Sequence, residues 1–107
     1  MQHYIPPHNG TVVQEWSPEH PGIDFACLRG SPVVAAHTGE LTNGYNSRMG
    51  NYAYVSNGGV RTYYAHLQSV SPPGWYERGE QIGTCGNTGS WSTGPHLHFE
   101  SNVNYTF

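Results

Sequence analysis

The chain has 107 residues, enough for one domain with a modest core. It contains no Lys and only four Arg, and its formal net charge of -3 excludes the basic surface that nucleic-acid binding requires. No apolar run approaches the length of a membrane span, so no transmembrane segment is expected. Residues 1–10 have neither the basic nor the apolar region of a signal peptide.

Short runs of β-forming residues, separated by turns and loops rich in Gly and Pro, predict an all-β domain with little or no helix. In chain order, the predicted strands cover residues 31–36, 39–42, 51–56, 60–67, 80–84 and 96–101. Asn43-Gly44 predicts a turn, and Asn57-Gly58-Gly59 predicts the tight turn of a hairpin. A polar, Gly-rich loop over residues 86–95 precedes the last strand.

Two regions of the chain combine residue types that can bind metal or move protons. Pro21-Gly22 favours a turn that brings His20 and Asp24 to one point. Asp24 is the only Asp and lies between apolar neighbours, so it requires a cation or strong donors if it is buried. The alternative is an Asp that caps a turn.

The second region is the last predicted strand. Alternation places His96, His98 and Glu100 on one face, and Leu97 and Phe99 on the core face. Two imidazoles on one face can bind a metal, or one can bind it while the other acts on bound water. The alternative is a pair of surface His on an amphipathic strand.

The remaining His residues carry weaker signals. Alternation along 60–67 groups His66 with Thr62 and Tyr64 on one face of its strand, where a structural role is the simpler interpretation. His37 is expected to be structural or exposed. His3 and His8, in the Pro-rich start, receive no role.

Three blocks resemble the lysostaphin-type and LytM-type zinc endopeptidases, which cut peptide cross-links in peptidoglycan. The blocks are HPGIDFA at 20–26, TYYAHL at 62–67 and STGPHLHFE at 92–100, so the resemblance covers about residues 20–100. It implies a small antiparallel β-sheet with a narrow groove, and a single catalytic domain over 1–107. It also implies that His20, Asp24 and His98 are Zn²⁺ ligands and that His66 and His96 are catalytic, one as general base and one as oxyanion donor. Which does which stays open.

The resemblance further implies the partner and the setting. The substrate would be a peptide stem or cross-bridge of peptidoglycan, met outside the cytoplasm in periplasm, cell wall or a phage. The slight acidity gives no steering toward an anionic wall, so a partner or a neighbouring domain would do the targeting. Alternation places Glu100 on the face of His98, where it would orient a ligand imidazole or, alternatively, face solvent near the end of the strand. The alternatives are a non-catalytic activator or scaffold, a phage-tail structural module, and a β-sandwich binding module.

The two cysteines leave two possibilities open. Cys27 and Cys85 form no CxxC pattern, so they are either a disulfide across 58 positions or two buried thiols. If paired, they would join the strand that follows Asp24 to the strand before the Gly-rich loop.

Overall fold

The computed structural model describes all 107 residues and contains eleven strands and no helix, which confirms the predicted all-β class. None of its segments is a helix of the length and apolarity that crossing a membrane requires. The strands are β1 Gln2–His3, β2 Val12–Gln14, β3 Ile23–Ala26, β4 Pro32–Val34, β5 Gly39–Asn46, β6 Gly50–Asn57, β7 Val60–Val70, β8 Gly74–Tyr76, β9 Gln81–Cys85, β10 His96–Ser101 and β11 Tyr105–Thr106.

The main sheet is antiparallel and runs in the order β2-β3-β10-β7-β6-β5-β8. The strand β9 pairs with both β4 and β7, and extends the sheet on one side. The two chain ends meet in a separate parallel pair, β1 with β11. The strand β10 therefore lies between β3 and β7, which brings residues from three distant parts of the sequence side by side.

The turn predicted at Asn43-Gly44 is wrong, because β5 continues through both residues to Asn46. Gly44 pairs with Tyr52 on β6, and a Cβ at Gly44 would lie 2.6 Å from the Tyr52 hydroxyl oxygen. The glycine therefore makes room for an aromatic ring across the strands instead of a change of direction. The predicted hairpin at Asn57 is confirmed, since Asn57 pairs with Val60 across two glycines of positive φ.

The core lies beneath one face of the sheet. Leu97 and Phe99 of β10 are fully buried there, as the alternation predicted. Tyr4, from the Pro-rich start, is also fully buried and stacks on His37 and Tyr105. Packing of these rings explains how a chain of only 107 residues with short strands forms an ordered interior.

His37 is structural, as expected, and belongs to a buried chain of hydrogen bonds. Its Nδ1–H donates to the Thr38 carbonyl oxygen and its Nε2 accepts from the Thr62 hydroxyl, both at 3.0 Å. The Tyr64 hydroxyl donates to Thr62 at 2.7 Å and accepts the Ala36 backbone N–H. Every polar side-chain group of this buried network is therefore satisfied.

Cys27 and Cys85 form a disulfide, with their Cα atoms 6.4 Å apart. Cys27 directly follows β3, and Cys85 is the buried last residue of β9. Hydrogen bonds of 2.8 Å from Gly30 N–H to Cys85 and from Cys85 N–H to Ser31 reinforce the same junction. The bond thus joins the end of the strand that carries Asp24 to the residue before the Gly-rich loop.

Candidate metal centre

The register of two neighbouring strands brings Asp24 and His98 together. Asp24 on β3 is the direct antiparallel partner of His98 on β10, so their side chains share one face of the sheet. His20 arrives from a tight turn in which Ser17 and His20 exchange backbone hydrogen bonds of 3.0 Å. Gly22 lets the chain pass close to β10, because a Cβ there would lie 2.6 Å from the Phe99 carbonyl oxygen.

Three potential ligand groups converge at this point. His98 Nδ1 lies 2.8 Å from Asp24 Oδ1, and His20 Nε2 lies 3.2 Å from Asp24 Oδ2. One donor atom from each of the three residues lies within 4.8 Å of the others. A carboxylate that is 8% exposed and flanked by two imidazoles has the donor types and closeness that one divalent cation requires.

Charges and hydrogen bonds in the cluster shift two pKa values. Burial opposes ionisation of Asp24, but the His98 hydrogen bond and the neighbouring imidazoles hold its pKa below the usual value. Burial also opposes the charge on His98, yet its bonds to Asp24 and Glu100 raise its pKa to about 9. The cluster therefore stabilises positive charge beside the carboxylate, whether a proton or a metal carries it.

His96 is fixed by the end of the Gly-rich loop. Its Nδ1–H donates to the Gly94 carbonyl oxygen at 2.8 Å, and the Ser92 hydroxyl lies 3.3 Å from the same nitrogen. This bond places the proton on Nδ1 and leaves Nε2 as the free lone pair. Nε2 faces the cluster, 3.7 Å from Asp24 Oδ2.

His66 faces the site, and does not share a face with Thr62 and Tyr64 as alternation along the strand predicted. Its φ is +64°, the only positive value at a residue other than glycine. Thr62 and Tyr64 point into the core, but the left-handed backbone at His66, where the pairing of β7 with β6 shifts register, directs the His66 side chain to the opposite face. The His66 ring consequently lies 4.7 Å from the ring of His96 and 6.2 Å from that of His98.

His66 is also fixed in one tautomer and kept neutral. Its Nδ1–H donates to the Thr88 carbonyl oxygen at 2.8 Å, so Nε2 carries the free lone pair. Burial lowers the pKa of His66, and the neighbouring imidazoles of His96 and His98 act in the same direction. Sequence reasoning identified His66 but missed the carbonyl groups of Thr88 and Gly94, because backbone acceptors leave no residue-type signal.

Glu100 lies on the same face as His98, and its Oε1 is 3.2 Å from His98 Nε2. His98 therefore offers Nδ1 toward Asp24 while Glu100 holds the opposite nitrogen. The open cavity above these groups has a volume of about 480 Å³. Met49 and Trp91 form one wall of it, and neither was predicted, because only the folded chain brings the turn after β5 beside the Gly-rich loop.

That wall is tied together by the backbone. Ser90 N–H donates to the Ser47 carbonyl at 2.7 Å, and Trp91 N–H donates to Arg48 at 3.1 Å. The Arg48 guanidinium lies 5.3 Å above the centre of the Trp91 ring.

The three other His residues lie outside the site. His3 is exposed, His37 is in the core, and His8 bonds to Ser31 at 2.8 Å.

The fold and the cluster define a class: a β-sheet protein with an open site where two imidazoles and a carboxylate converge and two further imidazoles lie beside them. The chain belongs to peptidase family M23, whose family model matches residues 18–106. It is 44% identical over 88 residues to the DD-carboxypeptidase/endopeptidase Mpg of Neisseria meningitidis, an alignment that covers 79% of this chain and 20% of the relative.

Two solved structures share the fold. The catalytic domain of the antimicrobial peptidase lysostaphin from Staphylococcus simulans matches with a TM-score of 0.72 and 36% identity, covering 82% of this chain and 69% of that one. A zinc-containing peptidase from Vibrio cholerae matches with a TM-score of 0.82 and 29% identity, over 90% of this chain and 35% of the other. The chain spans about a fifth of the length of the curated relative it matches.

Proposed function

We propose that the chain is a zinc-dependent endopeptidase that hydrolyses peptide cross-links of bacterial peptidoglycan. The observation that carries this proposal is the convergence of His20, Asp24 and His98 on one open point of the sheet, with the free nitrogens of His66 and His96 facing it. Membership of family M23 and the similarity to the DD-carboxypeptidase/endopeptidase of Neisseria support the reaction class.

His20, Asp24 and His98 would hold the metal. Two nitrogen donors and one carboxylate form a catalytic zinc set that leaves a coordination position open to the cavity. A metal on His20 Nε2 would place the proton of this ring on Nδ1, which is buried and has no hydrogen-bond partner within the protein. When bound, zinc would supply a Lewis acid and an acidified water molecule.

His66 and His96 would move the protons. Each has its Nδ1–H bonded to a backbone carbonyl oxygen, so each can accept a proton only at Nε2, on the cavity side. One imidazole takes the proton of the attacking water and passes it to the leaving amine. The other, protonated at Nε2 by solvent before the peptide binds, would donate a hydrogen bond to the oxyanion that develops on the cleaved carbonyl and keep this proton through the reaction.

The substrate defines the setting. Peptidoglycan lies outside the cytoplasm, so the chain would act in the periplasm, the cell wall or a phage particle. We assign residues 1–107 to a single catalytic domain, and a partner or neighbouring domain would supply attachment to the wall. The scaffold and structural-module interpretations share the fold, and differ from this proposal in predicting no cleavage.

Metal content and activity, measured on the same variants, test the proposal. Purified protein should contain about one zinc per chain and clear a peptidoglycan suspension, with clearing abolished by a chelator and restored by zinc. Asp24→Ala and His98→Ala should lose metal and activity together. His66→Ala and His96→Ala should keep metal and lose about 10²- to 10⁴-fold in rate.

His3→Ala is the matched control, because this imidazole is exposed and remote from the site. It should keep both metal and activity. Metal without cleavage in the unmodified protein would support the scaffold interpretation, and a His98→Ala variant that kept its zinc would show that the ligand assignment is wrong.

A further inference from the structure

A second, smaller cavity adjoins the metal centre on the far side of Glu100. It has a volume of about 260 Å³ and shares Pro21 and Glu100 with the larger one. Its walls include the rings of Trp16, Tyr63 and Tyr105. We call it the aromatic cavity.

Among the residues that line the aromatic cavity, Trp16 has an unusual environment, because 63% of this large apolar residue is exposed to solvent. It directly precedes the turn that carries His20, and that turn is closed by two backbone hydrogen bonds of 3.0 Å between Ser17 and His20. The indole N–H of Trp16 has no hydrogen-bond partner within the protein. An aromatic side chain held open to solvent beside a reaction centre is typical of a recognition surface.

Most polar groups that line the aromatic cavity are already used within the fold. The Asn102 amide nitrogen donates to the Gly59 carbonyl oxygen, and its oxygen accepts the Arg61 backbone N–H. The Ser101 hydroxyl bonds to Tyr4 and to the Val103 carbonyl oxygen. The Trp16 indole N–H, the Tyr105 hydroxyl and Glu100 Oε2 are left without a partner, and Glu100 is the charged group among them, with Oε1 facing His98.

The one charged group that lines the aromatic cavity is the Glu100 carboxylate, and no Lys or Arg lines it. Its Oε1 is paired with the His98 imidazole, and its Oε2 makes no hydrogen bond. Burial and the Glu15 carboxylate raise the pKa of Tyr105, so the hydroxyl on that wall is neutral. The Arg61 guanidinium is already engaged, 4.7 Å above the Tyr54 ring and 3.3 Å from the Tyr63 hydroxyl.

We propose that the aromatic cavity binds a primary ammonium group at the end of an aliphatic chain. The electron-rich ring faces attract a cation, the aliphatic chain packs on the same rings, and Glu100 Oε2 accepts an N–H bond. In the context of the proposed function, on which this step rests, the ligand is the free side-chain amine of a diamino acid in the substrate peptide. The site would then select peptides in which that amine is unblocked.

Binding of a small probe tests the proposal without any cleavage. Pentylammonium is titrated into the purified full chain at pH 6.5, where the amine is protonated, and the three indole N–H signals are followed by NMR. Trp16→Phe identifies the Trp16 signal. The indole of Trp75 donates to Glu77, and that of Trp91 stacks under Arg48, so these two serve as internal references.

The Trp16 signal should shift with saturation, and the two reference signals should not. Glu100→Gln should weaken pentylammonium by about three- to tenfold and Glu15→Gln by less. Glu40→Gln is the matched control on a different part of the sheet, and should leave the affinity unchanged. Pentanol, the neutral analogue, should bind more weakly by a similar factor.

Equal shifts with pentanol, no shift at Trp16, or an affinity indifferent to Glu100→Gln would overturn the ammonium site. Since none of these readings depends on hydrolysis, a chain without peptidase activity would still give a clear answer here. Conversely, an active peptidase that failed this titration would retain its proposed function and lose only the ammonium site.

Discussion

Reduction of the Cys27–Cys85 disulfide should cost the fold a large part of its stability. The bond closes a loop of 58 positions, for which the loss of chain entropy in the unfolded state is about 14 cal/mol/K, or about 4 kcal/mol at 25 °C. Domains of this size are stable by only about 5 to 15 kcal/mol, so this is a substantial share of the total.

Urea unfolding with and without a reducing agent measures the effect, with chelator in both samples so that metal does not contribute. At a slope of about 1.5 kcal/mol/M, the midpoint should fall by about 2 to 3 M. Thiol titration of the unreduced, unfolded chain should find no free thiol. A midpoint change below about 0.5 M, or two free thiols before reduction, would refute the reasoning.

Three further predictions concern two core residues and the glycine that lets the chain pass close to β10. Burial lowers the pKa of His37, so below pH 6.5 the unfolded chain binds more protons than the folded chain. The contribution of His37 to stability is therefore full above that pH and is lost as the pH drops. Urea unfolding at pH 7 and 5 should show a smaller loss of stability for His37→Gln than for the unmodified protein. Gly22→Ala would place a Cβ 2.6 Å from a backbone oxygen of β10, at a residue whose φ is +125°. It should destabilise the protein by at least about 2 kcal/mol and reduce the amount of bound metal. Gly94→Ala is the control, because its Cβ would meet nothing within 4 Å, and it should change neither stability nor bound metal. Leu97→Ala should lose about 2 to 5 kcal/mol in thermal or urea unfolding, against almost nothing for the exposed Leu28→Ala.

Local regularity explains why β10 could be predicted from its sequence. The alternation from His96 to Glu100 depends only on the geometry of one extended strand, and the structure retains its predicted bounds and its core face. The hairpin at Asn57 follows equally from two glycines that tolerate positive φ. Both features are determined by residues adjacent in the chain.

Non-local packing explains what could not be predicted. The orientation of His66 depends on a left-handed residue where the pairing of β6 with β7 shifts register, and strand alternation assigns such a residue to the wrong face. The two-residue strands β1 and β11 have no periodicity of their own, and they pair where Tyr4 stacks on the half-buried Tyr105. The Asn43-Gly44 pair is typical of a turn, but in the structure Gly44 lies in a strand, where its missing side chain leaves space for the Tyr52 ring.

The backbone at His66 implies a conflict between durability and activity. A residue with a Cβ at φ +64° carries a conformational penalty of about 1 to 3 kcal/mol, which glycine would avoid and asparagine would reduce. Selection for thermal stability alone would therefore favour substitution of this histidine. Its retention would mean that selection accepts a less stable protein in return for an imidazole that faces the cavity, so stabilising this domain by consensus or directed evolution should exempt this position.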